Sequence, residues 1–200
     1  MSNVIELRQY TLKSGQRDVL IELFEREFVE SQEAVGISLI GLFRDLGDPD
    51  RFVWLRGFPS MEARAESLAA FYGGPIWKAN REAANATMID SDNVLLLRPA
   101  RPEWDFKSAP GGSGTISATI CTLTTPADDA FLSAFGKPAI AALVTKPAPN
   151  TFPALPVREG ENVFVWFARE TSSLPMGMRR QVIGEPVVLR LEPTARSRLR

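Results

Sequence analysis

The sequence predicts an α+β fold: two tandem β-α-β-β-α-β modules of the ferredoxin-like kind, the second degenerate, packing through their sheets into an α/β barrel. Three observations predict it. Over residues 4–98 the hydrophobic spacing alternates between period two and period 3.6, in the order strand, helix, strand, strand, helix, strand. A stretch rich in proline, glycine and serine, residues 99–114, follows. Beyond it the same order begins again in weaker form, and Phe52-Val53-Trp54 recurs as Phe164-Val165-Trp166. The expected organisation is a first module at residues 1–99, a linker at 100–114 and a divergent second module at 115–200.

Residues 4–12 (VIELRQYTL) alternate as a strand, with Ile5 and Leu7 on one face and Glu6, Arg8 and Tyr10 on the other. From residue 16 to 35 the spacing is helical, with Leu20, Leu23, Phe24 and Phe28 in one stripe, Ser14 placed to cap the start and Gly36 to end it. Residues 37–45 and 51–58 read as strands joined by a short turn, an antiparallel hairpin. The turn gathers Asp45, Asp48 and Asp50, which Asx hydrogen bonding at a hairpin tip accounts for without a metal. Ser60 caps a second helix with Met61, Ala65, Leu68 and Ala69 as its stripe; Tyr72-Gly73-Gly74-Pro75 breaks it, and a further helix runs to about residue 88. Residues 93–98 close the first set as a strand.

In the linker, Trp104 and Phe106 suggest a segment pinned to a surface, whereas Pro110 and the Gly/Ser run after it suit a boundary. The second set is expected as a strand at 115–123, a helix at 126–144, a short strand at 150–157, a strand at 162–169 and a last strand at 186–191. Pro175, Gly177 and Gly184 leave no room for a full helix between the last two. Arg196, Arg198 and Arg200 are expected on a frayed, solubilising tail.

Composition excludes several chemistries. The 200 residues contain no histidine and one cysteine, Cys121. Imidazole-dependent nucleophile systems, histidine-ligated haem and ordinary zinc sites are therefore out, and neither a cofactor nor a metal is expected. Cys121, inside a strand, reads as a small core residue. A net charge of −1 argues against nucleic acid as a partner. No apolar run approaches a membrane span, and with a lone cysteine and no secretory signal the expected location is cytoplasmic.

Alternation points to one candidate site. Val53 and Leu55 form the smooth face of the third strand, expected under the helices; Phe52, Trp54, Arg56 and Phe58 lie opposite, on the side that Glu6, Arg8 and Tyr10 occupy in the first strand. That face is expected to point away from the helices, packing against the second sheet around a polar-lined cavity. Arg8 and Arg56 suit an anion and Trp54 an aromatic or cationic group, with Tyr72 and Trp77 at the rim. The alternative is that Glu6 and Arg8 satisfy each other as a buried ion pair.

Residues 5–18 (IELRQYTLKSGQRD), 41–60 (GLFRDLGDPDRFVWLRGFPS) and 71–85 (FYGGPIWKANREAAN) resemble, in that order, a NIPSNAP protein. The resemblance spans most of the first module and implies the dimeric α/β barrel superfamily, which also holds antibiotic-biosynthesis-type monooxygenases; it brings no agreed activity. Three functions are carried forward: a protein that binds a small organic ligand in a barrel cavity, a cofactor-independent monooxygenase or isomerase in which Tyr10 or Glu6 moves a proton, and a structural or interaction module with a filled barrel. Pairing of the modules within one chain gives a monomer, and pairing between chains gives a homo-oligomer.

Overall fold

The computed structural model describes residues 2–106, 114–171 and 173–200; Pro110 and the Gly/Ser run of the linker lie outside them. Its centre is one closed antiparallel barrel of eight strands: β1 (Val4–Leu12), β2 (Ser38–Asp45), β3 (Arg51–Phe58), β4 (Met88–Pro99), β5 (Ile116–Leu123), β6 (Ala141–Thr145), β7 (Asn162–Ala168) and β8 (Val182–Pro193). Around the barrel the order is β1-β3-β2-β8-β5-β7-β6-β4. Each half of the sequence contributes four consecutive neighbours in the order fourth, first, third, second. The seams are β2 with β8 and β4 with β6, so the barrel closes within a single chain.

The interior is filled. Ile5, Leu7, Val53, Leu55, Leu95 and Leu97 from the first half meet Ile116, Ala118, Val163, Val165, Phe167, Leu189 and Leu191 from the second, all buried in one cluster. An eight-stranded barrel is just wide enough for such aliphatic side chains to fill. The expected facing is therefore reversed. Val53 and Leu55 point into the barrel, while Glu6, Arg8, Tyr10, Trp54 and Arg56 lie beneath the helices, and among the described residues the space expected as a chamber holds the aliphatic cluster. Alternation separates a strand's two faces but does not say which one is inner. The narrow barrel takes the compact aliphatics, and the layer between sheet and helices takes the bulky and charged side chains.

The helices cover the outer face. α1 (Arg17–Leu23) continues through a π-helical turn, Phe24–Phe28, into α2 (Val29–Glu33), and Gly36, at φ 87°, ends the run. Gln16, not Ser14, occupies the cap position of α1, without a side-chain bond. α3 (Met61–Gly73) starts at Ser60, whose hydroxyl accepts from Ala63 N at 3.2 Å. α4 (Pro75–Ala86) follows at once. At Gly74 between them an added Cβ would lie 3.0 Å from Ala70 O, so a larger residue fits this tight joint only if the backbone shifts by a few tenths of an ångström. The Asx bonds of the hairpin form: Asp45 Oδ1 accepts from Gly47 N at 2.9 Å, and Asp48 Oδ1 from Asp50 N at 3.0 Å.

The second half departs further from expectation. Its helix α5 is short, Asp129–Phe135, and residues predicted to continue it form β6 instead. Residues 150–157 form turns rather than a strand, part of a long crossing from β6 to β7 that lays Ala148, Phe152 and Leu155 against the first half's outer core. Between β7 and β8 the described residues form one short helical element, the 3-10 segment Met176–Gln181. Trp104 is buried, and Phe106 packs on Phe167 with ring centroids 5.0 Å apart, so this part of the linker is pinned. The C-terminal arginines are not on a frayed tail: Leu199 is buried against the barrel core, and its N–H donates to Ile40 O at 2.9 Å. Among the described residues no helix is long and apolar enough to cross a membrane.

Candidate functional site

Glu6, Arg8 and Tyr10 leave the same face of β1, and on β3 their direct partners are Arg56, Trp54 and Phe52. α3 adds Arg64 from above. Its buried stripe is Met61, Arg64, Leu68 and Phe71, so Arg64 holds a core position of the helix. The π-helical turn and α2 add Phe24, Phe28 and Gln32.

The result is a buried ion cluster centred on Glu6. Its Oε2 accepts from Arg8 Nη1 at 2.8 Å and Arg56 Nε at 2.7 Å, and its Oε1 from Arg64 Nε at 2.6 Å. Arg8 Nε donates to Tyr10 Oη at 3.0 Å, and Arg56 Nη1 to Gln32 Oε1 at 3.1 Å. Arg64 Nη1 reaches Asn150 Oδ1 at 3.0 Å, a contact supplied by the crossing from the second half. Glu6, Arg56 and Arg64 are fully buried, and Arg8 is nearly so. Arg8 and Arg56 also lie over the Trp54 ring, at 5.4 and 5.0 Å from its centroid.

Three guanidinium cations thus share one carboxylate among the described residues, leaving two positive charges in excess. Arg56 Nη2, Arg64 Nη2 and Trp54 Nε1 are buried donors without an acceptor among the described residues. Burial alone would raise the Glu6 carboxyl, but the charges of Arg56, Arg8 and Arg64 outweigh it and hold the group far below the usual carboxylate range. Burial pushes the Tyr10 phenol up, against the opposing charge of Arg8. Glu6 is therefore a locked counter-ion and a poor base, whereas Tyr10 stays a protonated phenol. The expectation that Glu6 moves a proton is not supported by this geometry.

Beside the cluster is a cavity of about 30 Å³, on the scale of one water molecule, lined by Tyr10, Gln32, Trp54, Tyr72, Trp77 and Met88 with Phe24, Phe28 and Phe71. Tyr72 and Trp77 are partly buried at its edge, with ring centroids 4.8 Å apart, and Phe152 stacks on Tyr72. All seven candidates named from the sequence, Glu6, Arg8, Tyr10, Trp54, Arg56, Tyr72 and Trp77, thus converge on one region, on the helical side of the sheet. Arg64 and Gln32 were not among them. Both occupy apolar stripes at helical spacing, and a charged or amide residue in such a stripe is the signal that could have revealed them.

Among its described residues the second half offers no equivalent cluster. Where Glu6 faces Arg56, Ser117 faces Ala168; where Arg8 faces Trp54, Thr119 faces Trp166; and Cys121 takes the place of Tyr10.

The NIPSNAP family model matches residues 5–104. Among solved structures, a NIPSNAP family protein of unknown function from Agrobacterium tumefaciens is 27% identical, covering 50% of this chain and 89% of its own, at a TM-score of 0.45. A protein named as a candidate monooxygenase from Lactobacillus acidophilus is 14% identical, covering 96% of this chain and 94% of its own, at 0.56. Another, from Fusobacterium nucleatum, is 8% identical over 95% and 91%, at 0.60. The last two show that the whole barrel is a shared fold, and at such identities they carry no chemistry. Among curated proteins none matches the chain.

Proposed function

The chain belongs to the NIPSNAP family, and from that premise we propose that it is a small-molecule-binding protein whose first half takes a carboxylate-bearing ligand between sheet and helices. The observation that carries this reading is the charge imbalance around Glu6: a second carboxylate would neutralise one of the two excess charges and give Arg56 Nη2 and Arg64 Nη2 an acceptor. An uncompensated buried charge is costly, which favours an anionic occupant. Trp54 Nε1 offers a further donor, and the surrounding rings suit an aromatic body behind the carboxylate. The ligand widens the small cavity by turning out Tyr72 and Trp77 beside the Gly74 joint. The adjoining π-helical turn is a distortion often found at functional sites.

We read the barrel itself as two tandem ferredoxin-like modules, residues 1–99 and 115–200, because the strand order repeats and the two central strand pairs match position for position. On this reading one chain supplies both modules that the resemblance expects from two.

The test is calorimetric titration of the full chain with benzoate and with benzamide, its neutral counterpart. Benzoate is expected to bind at least about 10-fold more tightly, and Arg64→Met to reduce that preference. Equal binding of the two would leave the cluster a structural ion network and the protein a filled module. A catalytic version of the same site has one observation in its favour, the protonated Tyr10 phenol donating from beside Arg8 towards an enolate. It predicts turnover of quinol-type compounds in air that Tyr10→Phe abolishes.

A further inference from the structure

We propose that the second half carries a separate ligand site, a pocket of about 410 Å³ on the outer face of its strands, for a small neutral aromatic molecule bearing one hydrogen-bonding oxygen. The site lies outside the region that matches the family model and is independent of the anion site of the first half.

The pocket exists because two things are missing that the first half has. Below, the large side chains of the ion cluster are replaced by small neutral ones: Thr119 occupies the place of Arg8, and Ala168 that of Arg56, while the tryptophan is kept as Trp166. Above, the 13 residues of α3 and 12 of α4 have as their counterpart, among the described residues, the six-residue segment Met176–Gln181. Small residues under a short cover leave space, and its volume is within the range of small-molecule sites, about 300–1,000 Å³.

The lining specifies the chemistry. Trp166 offers a ring face, and Leu174, Val182, Pro186 and Val188 complete an apolar wall. At the floor, Thr119 is 2% exposed and its Oγ1 has no hydrogen-bond partner among the described residues. A buried hydroxyl left unpaired is unfavourable, and a ligand oxygen reaching it would satisfy it. At the mouth, Arg179 and Glu185 lie 3.4 Å apart, both largely exposed, so the rim is charge-balanced and selects no ion. Val188 is 42% exposed at the edge, beside Val187 and Ile183, which are also exposed. Thr171 and Ser173 add hydroxyls to the lining, and this mixture of a tryptophan, an aliphatic wall and neutral hydroxyls fits a one- or two-ring aromatic alcohol or ketone.

The experiment is calorimetric titration of the full chain with 2-naphthol. Saturable binding at one site is expected in the wild type. Val188→Trp, which fills the pocket from an exposed rim position, should abolish it, whereas Val19→Trp, at an exposed position on α1, should leave it unchanged. Thr119→Val should weaken binding about 5- to 10-fold, the scale of one neutral hydrogen bond, without lowering the urea midpoint, because it removes an unpaired hydroxyl rather than a contact. Absence of saturable binding in the wild type, wild-type affinity in Val188→Trp, or undiminished affinity in Thr119→Val would each overturn the proposal.

Discussion

Arg56 is the direct partner of Glu6 on the neighbouring strand, and its Nε donates to Glu6 Oε2 at 2.7 Å with both side chains fully buried. Arg8 and Arg64 converge on the same carboxylate, so the loss of Glu6 and the loss of one arginine are not equivalent. Glu6→Gln leaves three buried cations facing one another and is expected to cost roughly 3–5 kcal/mol. Arg64→Met removes one of the excess charges and fills its place with an apolar side chain, so the cost should stay below about 2 kcal/mol. Urea denaturation of the two variants compares them directly. Equal losses would mean that the positive excess is of no consequence.

The same carboxylate makes stability depend on acid. In the folded protein Glu6 is held below its ordinary value of 4.5, so folding favours its ionised form. The stability it supplies is fully present above that value and drains away as pH falls below it towards the folded value. Urea midpoints should therefore stay level on this account from pH 7 to about 5 and then decline. Glu30 and Glu62 are lowered as well, but both are exposed and screened by solvent. The part of the decline that Glu6→Gln removes belongs to the buried cluster. A variant with the wild-type slope between pH 5 and 3 would refute this assignment.

Much of this site was legible in the sequence because period-two spacing alone groups Glu6 with Arg8 and Tyr10, and Trp54 with Arg56. What spacing could not supply was the direction of the group. Ile5, Leu7, Val53 and Leu55 would serve equally under a helix or inside a barrel, and only closure of eight strands decides that they go inside. Arg64 was hidden for a different reason. Its neighbours Ala65 and Ala69 offered a stripe that looked more apolar, and the long Arg64 side chain reads as solvent-facing until three charges are seen to meet. The second half was harder still. Residues 141–145 (AALVT) continue a helical pattern, and only pairing with β4 and β7 makes them a strand.

Cys121 gives a plain check on the second half. It is buried, and burial pushes its thiol up to about 11, the Arg179 charge opposing only in part. A thiolate-selective disulfide reagent at pH 8 should leave it unmodified in the native protein and modify one thiol per chain in denaturant. Rapid modification without denaturant would show that the β5 region opens freely.

The last residues provide a test of what holds the barrel shut. The β2–β8 seam has three paired positions, Phe43 with Pro193, Arg44 with Glu192 and Asp45 with Leu191. Beyond them the tail continues along β2: Thr194 N donates to Leu42 O at 2.9 Å, Ser197 Oγ accepts from Leu42 N at 3.0 Å, and Leu199 N donates to Ile40 O at 2.9 Å. Leu199 is 7% exposed and packs with the barrel interior, whereas Arg198 is mostly exposed and meets Glu33 at 2.6 Å on the surface. Leu199→Ala should therefore cost about 2–4 kcal/mol by leaving a gap at the core's edge, and Arg198→Ala less than about 1 kcal/mol, because an exposed pair is screened by solvent. Thermal and urea denaturation of the two single variants supply the comparison. If Arg198→Ala proved the more damaging, charge rather than burial would be what fastens the tail to β2.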